Sequence, residues 1–347
     1  MSPWISCIIR CIFFILVAGN NQSILMKLIT EVSLPKYPFK LDHQTPTLMM
    51  GSCFTENIGR QLERCLFPVN INPFGVTYNP LSVKKGLEAL ICKEAYSPNE
   101  LKQYNNLWFS FDHYTGFSSP DREETLENIN LSFRSAKELL KRAGTLVLTW
   151  GTSWVYRHKE SDEVVNNCHK IPAKEFTRTQ LTTREIIAAY ETFLPELFEF
   201  NPELKIIHTI SPVRHWKDGA HGNQLSKASL LLAGEALQQL FPDQLYYFPS
   251  YEIVMDELRD YRFYTDDMIH TSKQATTYIW EKFRKVLVDE SSLDIISDLE
   301  PLLKMLEHRP ISSSRESRKK METKLLDKMN FIKTKYPDLD LSNLPKY

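Results

Sequence analysis

The chain has 347 residues, with 42 Lys and Arg against 43 Asp and Glu, a formal net charge of −1. This balance excludes the basic bias of a nucleic-acid or anionic-membrane binder, and the length allows a substantial core. Nineteen Phe, 15 Tyr and 6 Trp beside only 11 Gly describe a packed globular protein, not a disordered one.

The first 25 residues contain an apolar run, Ile8 to Gly19, split by Arg10 and Cys11. It is too short for a membrane span, which needs about 20 apolar residues. Two expectations follow: translation starting at Met26, giving a cytoplasmic protein, or a signal peptide and export. From residue 26 to 290 short apolar runs alternate with amphipathic segments. Strands are expected at 46–50, 68–72, 145–150, 205–210 and 244–248. Helices are expected at 54–66, 80–92, 121–143, 182–199, 223–241 and 272–288. Runs such as Thr145 to Trp150 and Lys205 to Ile210 are nearly all apolar, as parallel strands covered on both faces are. The expected fold is a three-layer α/β/α, flavodoxin-like domain with a mainly parallel five-stranded sheet. In such sheets sites form beyond the carboxyl ends of the strands. Residues 99–119 and 154–180 read as insertions, the first an aromatic hairpin and the second a hairpin near the site. Residues 291–347 read as a charged helical extension.

Gly51-Ser52-Cys53-Phe54 stands at the junction of the first strand and first helix. A serine there meets the positive end of the helix, where backbone N–H groups can hold an oxyanion; it can equally be a simple N-cap. Far downstream, Asp267-Met268-Ile269-His270 places a carboxylate three residues before a histidine. That spacing lets the carboxylate orient one imidazole nitrogen and leaves the other to accept a proton, or lets Asp267 cap the next helix. Six cysteines, at 7, 11, 53, 65, 92 and 168, show no Cys-x-x-Cys spacing, and no metal or organic cofactor is implied.

These features together resemble the SGNH/GDSL hydrolases, and more closely the GSCFA family, whose motif reads here Gly51-Ser52-Cys53-Phe54-Thr55. Asn72-Pro73-Phe74-Gly75, Trp150 to Trp154, Asn167-Cys168-His169-Lys170 and Ser211-Pro212-Val213-Arg214 resemble that family as well. The resemblance implies an SGNH hydrolase-like fold and a serine hydrolase or acyltransferase acting on an O-acyl ester, with O-acetylated carbohydrates among the candidates. It implies Ser52 as nucleophile, His270 as base and Asp267 as its orienting acid. Backbone N–H groups of Cys53 and Gly75 are the expected oxyanion donors. The wider superfamily's third donor, an asparagine, is missing from Gly151-Thr152-Ser153-Trp154, so Ser153 or Asn167 is expected to replace it. Asn167, His169, Arg214 and Trp154 are expected to contact substrate. Cys53 as a thiol nucleophile is the competing assignment within the motif. The competing function is a non-catalytic carbohydrate- or ligand-binding module that keeps the fold. Expected partners are a small-molecule or carbohydrate ester, with no nucleic acid and no stable membrane span.

Overall fold

A computed structural model describes residues 29–307, 315–342 and 344. The apolar run near the N-terminus lies outside them. From Val32 onward the chain forms one compact unit. Its centre is a five-stranded parallel sheet of β1 (Thr47–Gly51), β2 (Val69–Ile71), β5 (Thr145–Trp150), β9 (Lys205–Ile210) and β10 (Leu245–Tyr247), in the order β10-β9-β5-β1-β2. Thr47 pairs with both Val69 and Thr145, and Leu146 with Ile206, so the strands run in step toward a common carboxyl edge.

Successive strand residues point to opposite faces, and both faces are apolar. Leu48, Met50, Leu146, Leu148, Ile206 and Ile210 face one core. There they meet buried residues of α2 (Pro80–Cys92), α3 (Arg122–Lys141), α4 (Thr183–Phe200) and α5 (Gly219–Leu240). Met49, Val147 and Ile207 face a second core formed with Phe54, Ile58 and Leu62 of α1 (Cys53–Arg64) and with Ile279, Trp280 and Phe283 of α6 (Lys273–Leu287). The three-layer α/β/α expectation is met, and each expected strand and helix is present within a few residues of its expected bounds.

Both insertions are small antiparallel sheets. β3 (Lys102–Tyr104) and β4 (Leu107–Phe109) make the aromatic hairpin. β6 (Trp154–His158) pairs with β7 (Val164–Val165) and with β8 (Phe176–Gln180), giving three strands where a hairpin is expected. After β10 the chain makes a helical turn, Ser250–Glu252, that widens into a π-helical turn over Ile253–Glu257. At the C-terminal end α7 (Glu290–Glu307) and α8 (Arg315–Lys335) form a third cluster in which Leu299, Leu302, Leu303 and Ile332 pack with Leu66. Among the described residues no helix is long and apolar enough to cross a membrane.

Candidate active site

Ser52 sits where β1 hands over to α1. Gly51 makes this turn possible. Its φ is +145°, and a Cβ there would lie 2.2 Å from the Thr149 carbonyl oxygen of the neighbouring strand. Only glycine takes that backbone without strain. The Gly51 N–H donates to Asn72 Oδ1 (2.8 Å), and the Ser52 N–H donates to Thr149 O (3.2 Å). Ser52 is 1% exposed, and its Oγ accepts from the Phe54 N–H at 3.4 Å as the N-cap of α1. The Cys53 N–H, the first of the helix, faces its own thiol and takes no acceptor from another described residue, which leaves it among the N-terminal donors that can meet an anion. Burial pushes the Cys53 thiol up from its ordinary pKa, which keeps it protonated and weak as a nucleophile.

The expected Asp267–His270 contact is formed. His270 Nδ1 lies 2.5 Å from Asp267 Oδ2. Asp267 Oδ1 also accepts from the Thr265 hydroxyl (2.7 Å) and from the backbone N–H groups of Ile269 (2.9 Å) and His270 (3.0 Å). Those bonds, His270's first, hold the Asp267 carboxyl well below the usual carboxylate range. Three residues of spacing suffice because the loop curls back on itself, with Thr265 N–H donating to His270 O and Met268 at φ +58°. Both side chains are about half exposed, unlike buried Ser52. No hydrogen bond joins Ser52 to His270.

A second histidine, which the sequence reading left without a role at the site, stands beside the serine. A Cβ placed on Gly151 would lie 3.1 Å from His215 Nε2 and 3.5 Å from Ser52 Cβ. Gly151 is thus the gap across which Ser52 and His215 meet. Burial and the nearby cationic Lys227 depress the His215 pKa to about 4, and His270 adds to the depression. The two imidazoles therefore share one electrostatic environment, with His215 neutral near pH 7.

Beneath them lies Lys227, 1% exposed on α5. Its Nζ donates to Gly151 O and Ser211 O, each at 2.6 Å, clamping the ends of β5 and β9 together. Burial lowers its pKa to about 7. Nothing in a helical Ser226-Lys227 marks it from sequence, since a lysine on an amphipathic helix ordinarily faces solvent.

Several expected roles depart from the structure. Ser153 is fully buried, and its N–H (2.8 Å) and Oγ (3.1 Å) both bond to Ser226 Oγ, with Gln180 adding a third contact. It is committed to joining the β6 sheet to α5 and offers no free donor to an oxyanion. The N–H groups of Gly151 and Thr152 both donate to Tyr78 O. Gly75 has a left-handed φ of +78°, and its N–H closes a turn onto Asn72 O at 2.7 Å, which removes it as the expected oxyanion donor. His169 is buried, stacked on Phe109, with Nε2 2.9 Å from Ser110 O; it braces the insertion and is withdrawn from substrate. Asn167 Oδ1 accepts from the His169 N–H (2.8 Å) and the Thr115 hydroxyl (3.4 Å), so that end of the amide shapes its loop. Trp154 is covered by the Arg178 guanidinium at 4.1 Å, itself paired with Asp218. Of the expected substrate residues, Arg214 lines a cleft. Among the described residues no three His, Cys, Asp or Glu side chains converge as a metal centre requires.

The GSCFA family model matches residues 46–283, more than two thirds of the chain. The protein belongs to the GSCFA family. That match runs from the first strand through most of α6 and so contains Ser52, Asp267 and His270. Among solved structures, the GSCFA protein is similar to one from Streptococcus pneumonia, nominally a platelet activating factor, at 13% identity and a TM-score of 0.35, covering 70% of this chain and 83% of that one. It is also similar to a carbohydrate esterase family 3 protein from Talaromyces cellulolyticus, at 9% identity and a TM-score of 0.31, covering 74% of this chain and 99% of that one. No curated protein sequence matches it.

Proposed function

We propose that this GSCFA protein is a serine hydrolase or acyltransferase that attacks an O-acyl ester through Ser52. The observation that carries the reading is the pairing of two prepared parts on one sheet edge. One is a serine capping a helix N-terminus, where the first N–H groups of the helix point, and the other is an Asp267–His270 pair already bonded at 2.5 Å.

In the proposed reaction Ser52 Oγ attacks the ester carbonyl as His270 Nε2 takes its proton. Ionised Asp267 steadies the imidazolium. The carbonyl oxygen gathers charge at the Cys53 N–H and the positive end of α1. His270 then returns the proton to the departing alkoxide, giving an alcohol and an acyl-serine. Water, or an acceptor hydroxyl in a transferase, completes the cycle through the same base. No bond joins Ser52 to His270 in the free protein, so the proposed proton transfer requires that contact to form once substrate is bound. Such tightening on binding is common for catalytic hydrogen bonds. Neutral His215 lines the same gap and donates or accepts a hydrogen bond with the substrate oxygen.

The binding-module reading draws support from the committed N–H groups of Gly75, Gly151 and Ser153. A fluorophosphonate probe separates the two. Labelling that disappears in Ser52→Ala and His270→Ala but persists in Cys53→Ala is the expected result. Folded protein that takes no label would mean a binding module. Label lost only in Cys53→Ala would move the nucleophile to the thiol, and label lost in His215→Ala but kept in His270→Ala would move the base.

A further inference from the structure

A cleft of about 500 Å³ opens beside the acid–base loop, walled by Arg214, Trp216, Met255, Tyr261, Tyr264 and the Asp267–Ile269 segment. Its charges are nearly all spent. Asp267 is bonded to His270, Asp260 to Arg262 at 2.7 Å and Arg259 to Asp256 at 2.9 Å. Arg214 is the exception. Its guanidinium reaches Met255 Sδ at 3.6 Å and pairs with no carboxylate among the described residues. It is only partly exposed, and a second cation, Lys227, lies close enough for the two to oppose one another. A partly buried guanidinium next to another cation, with no counter-charge, is costly to keep. The cost is recovered when an anion arrives, since planar guanidinium groups bind carboxylate and phosphate oxygens in a bidentate fork.

The cleft's rim is apolar and open. Trp216 is 56% exposed, Tyr261 76% and Met268 55%. Three large exposed side chains around one cleft form a surface suited to a hydrophobic body. Arg214 immediately precedes His215, which faces Ser52 across Gly151, and Asp267 belongs to both the cleft wall and the acid–base pair. The cleft thus borders the Asp267–His270 pair through Asp267, which lies in its wall.

Building on the hydrolase reading, we infer that the substrate is an amphipathic ester bearing an oxyanion group, carboxylate or phosphate, which Arg214 binds in this cleft while the apolar portion lies against Trp216, Tyr261 and Met268. The guanidinium of Arg214 selects the charge, and the aromatic rim selects the body. Arg214 is a specificity residue in this arrangement, distinct from the groups that perform acyl transfer.

The test is a binding measurement, which does not require turnover. Ser52→Ala protein is titrated by calorimetry with phenyl phosphate, phenylacetate and the neutral isostere phenylacetamide. At least one anion is expected to bind about tenfold or more tighter than the amide, the scale of a charge-assisted hydrogen bond. The preference should shrink as salt rises, collapse in Ser52→Ala/Arg214→Gln and survive in part with Arg214→Lys. Which anion gains more separates a carboxylate substrate from a phosphate one. Equal binding of all three ligands, or a preference that persists in Arg214→Gln, would overturn the inference. Fluorophosphonate labelling of wild-type protein in parallel reports on the hydrolase reading alone, so failure of either is seen separately.

Discussion

Ser52 performs two tasks that pull apart on substitution. As the α1 cap it contributes about 1 kcal/mol, the usual loss when a capping serine becomes alanine. As the proposed nucleophile it would carry essentially the whole reaction. Ser52→Ala should thus melt within a few degrees of wild type while losing at least about 10³-fold in ester hydrolysis; calorimetry and a chromogenic ester assay measure the two. Lys227 gives a sharper signature at this scale. Its pKa falls from 10.5 to about 7 on folding, chiefly through burial. The unfolded chain therefore binds more protons between those values, and this residue's contribution to stability rises with pH across that window, by on the order of 5 kcal/mol at most. The carbonyls of Gly151 and Ser211 favour the ammonium and reduce this figure. Urea unfolding at pH 7 and pH 9 should show a wild-type gain that Lys227→Met lacks, the difference between the proteins cancelling every other titrating group. Identical pH slopes would mean the ammonium stays charged in the fold. Neither Lys227 nor His215 was legible as part of the site. Their placement depends on how α5 and the turn before it seat against β5 and β9, a relation between residues 76 positions apart that no local spacing expresses.

The strand-end turn and the acid–base loop are the elements that decide function. Gly51→Ala would drive a Cβ into Thr149 O at a φ that alanine resists. A loss of about 3 kcal/mol or more in chemical denaturation is expected, far beyond an ordinary glycine-to-alanine change. Asp267→Asn removes the charge that steadies imidazolium but preserves most of the loop's hydrogen bonds. Its kcat should fall about 10²-fold or more with KM little changed; a KM effect alone would reduce Asp267 to a loop-capping residue. These elements were readable in advance because each is written locally: an apolar run ending in Gly51-Ser52, and a carboxylate three residues before a histidine. The donor positions were not. Gly75 and Ser153 sit at strand ends as expected, but whether an N–H is free depends on which distant acceptor reaches it first. Asn72 O and Ser226 Oγ are those acceptors.

At the scale of the whole molecule, a period-two split of the strands explains the three layers. Leu48 and Met50 face one core and Met49 the other, so a one-residue slip would exchange two complete hydrophobic sets. This is why the fold was legible and the boundaries nearly so. The C-terminal helices add a separate cluster around Leu299, Leu302 and Leu303, all fully buried. Leu302→Ala should cost about 2–5 kcal/mol in thermal or urea unfolding and leave Ser52 labelling intact in the folded protein. A change in labelling instead would tie that cluster to the site.

Ser52 is 1% exposed, and as the proposed nucleophile it would also measure the acyl group. An acyl group must descend past Gly151 and His215 to reach the hydroxyl, whereas the alcohol side remains near the surface with the half-exposed His270. The enzyme would therefore be strict about the length of the acyl group it removes, leaving the Arg214 cleft to read the alcohol side. Across a series of aryl esters with acyl chains from two to ten carbons, turnover should peak at the shortest chains and fall steeply with length.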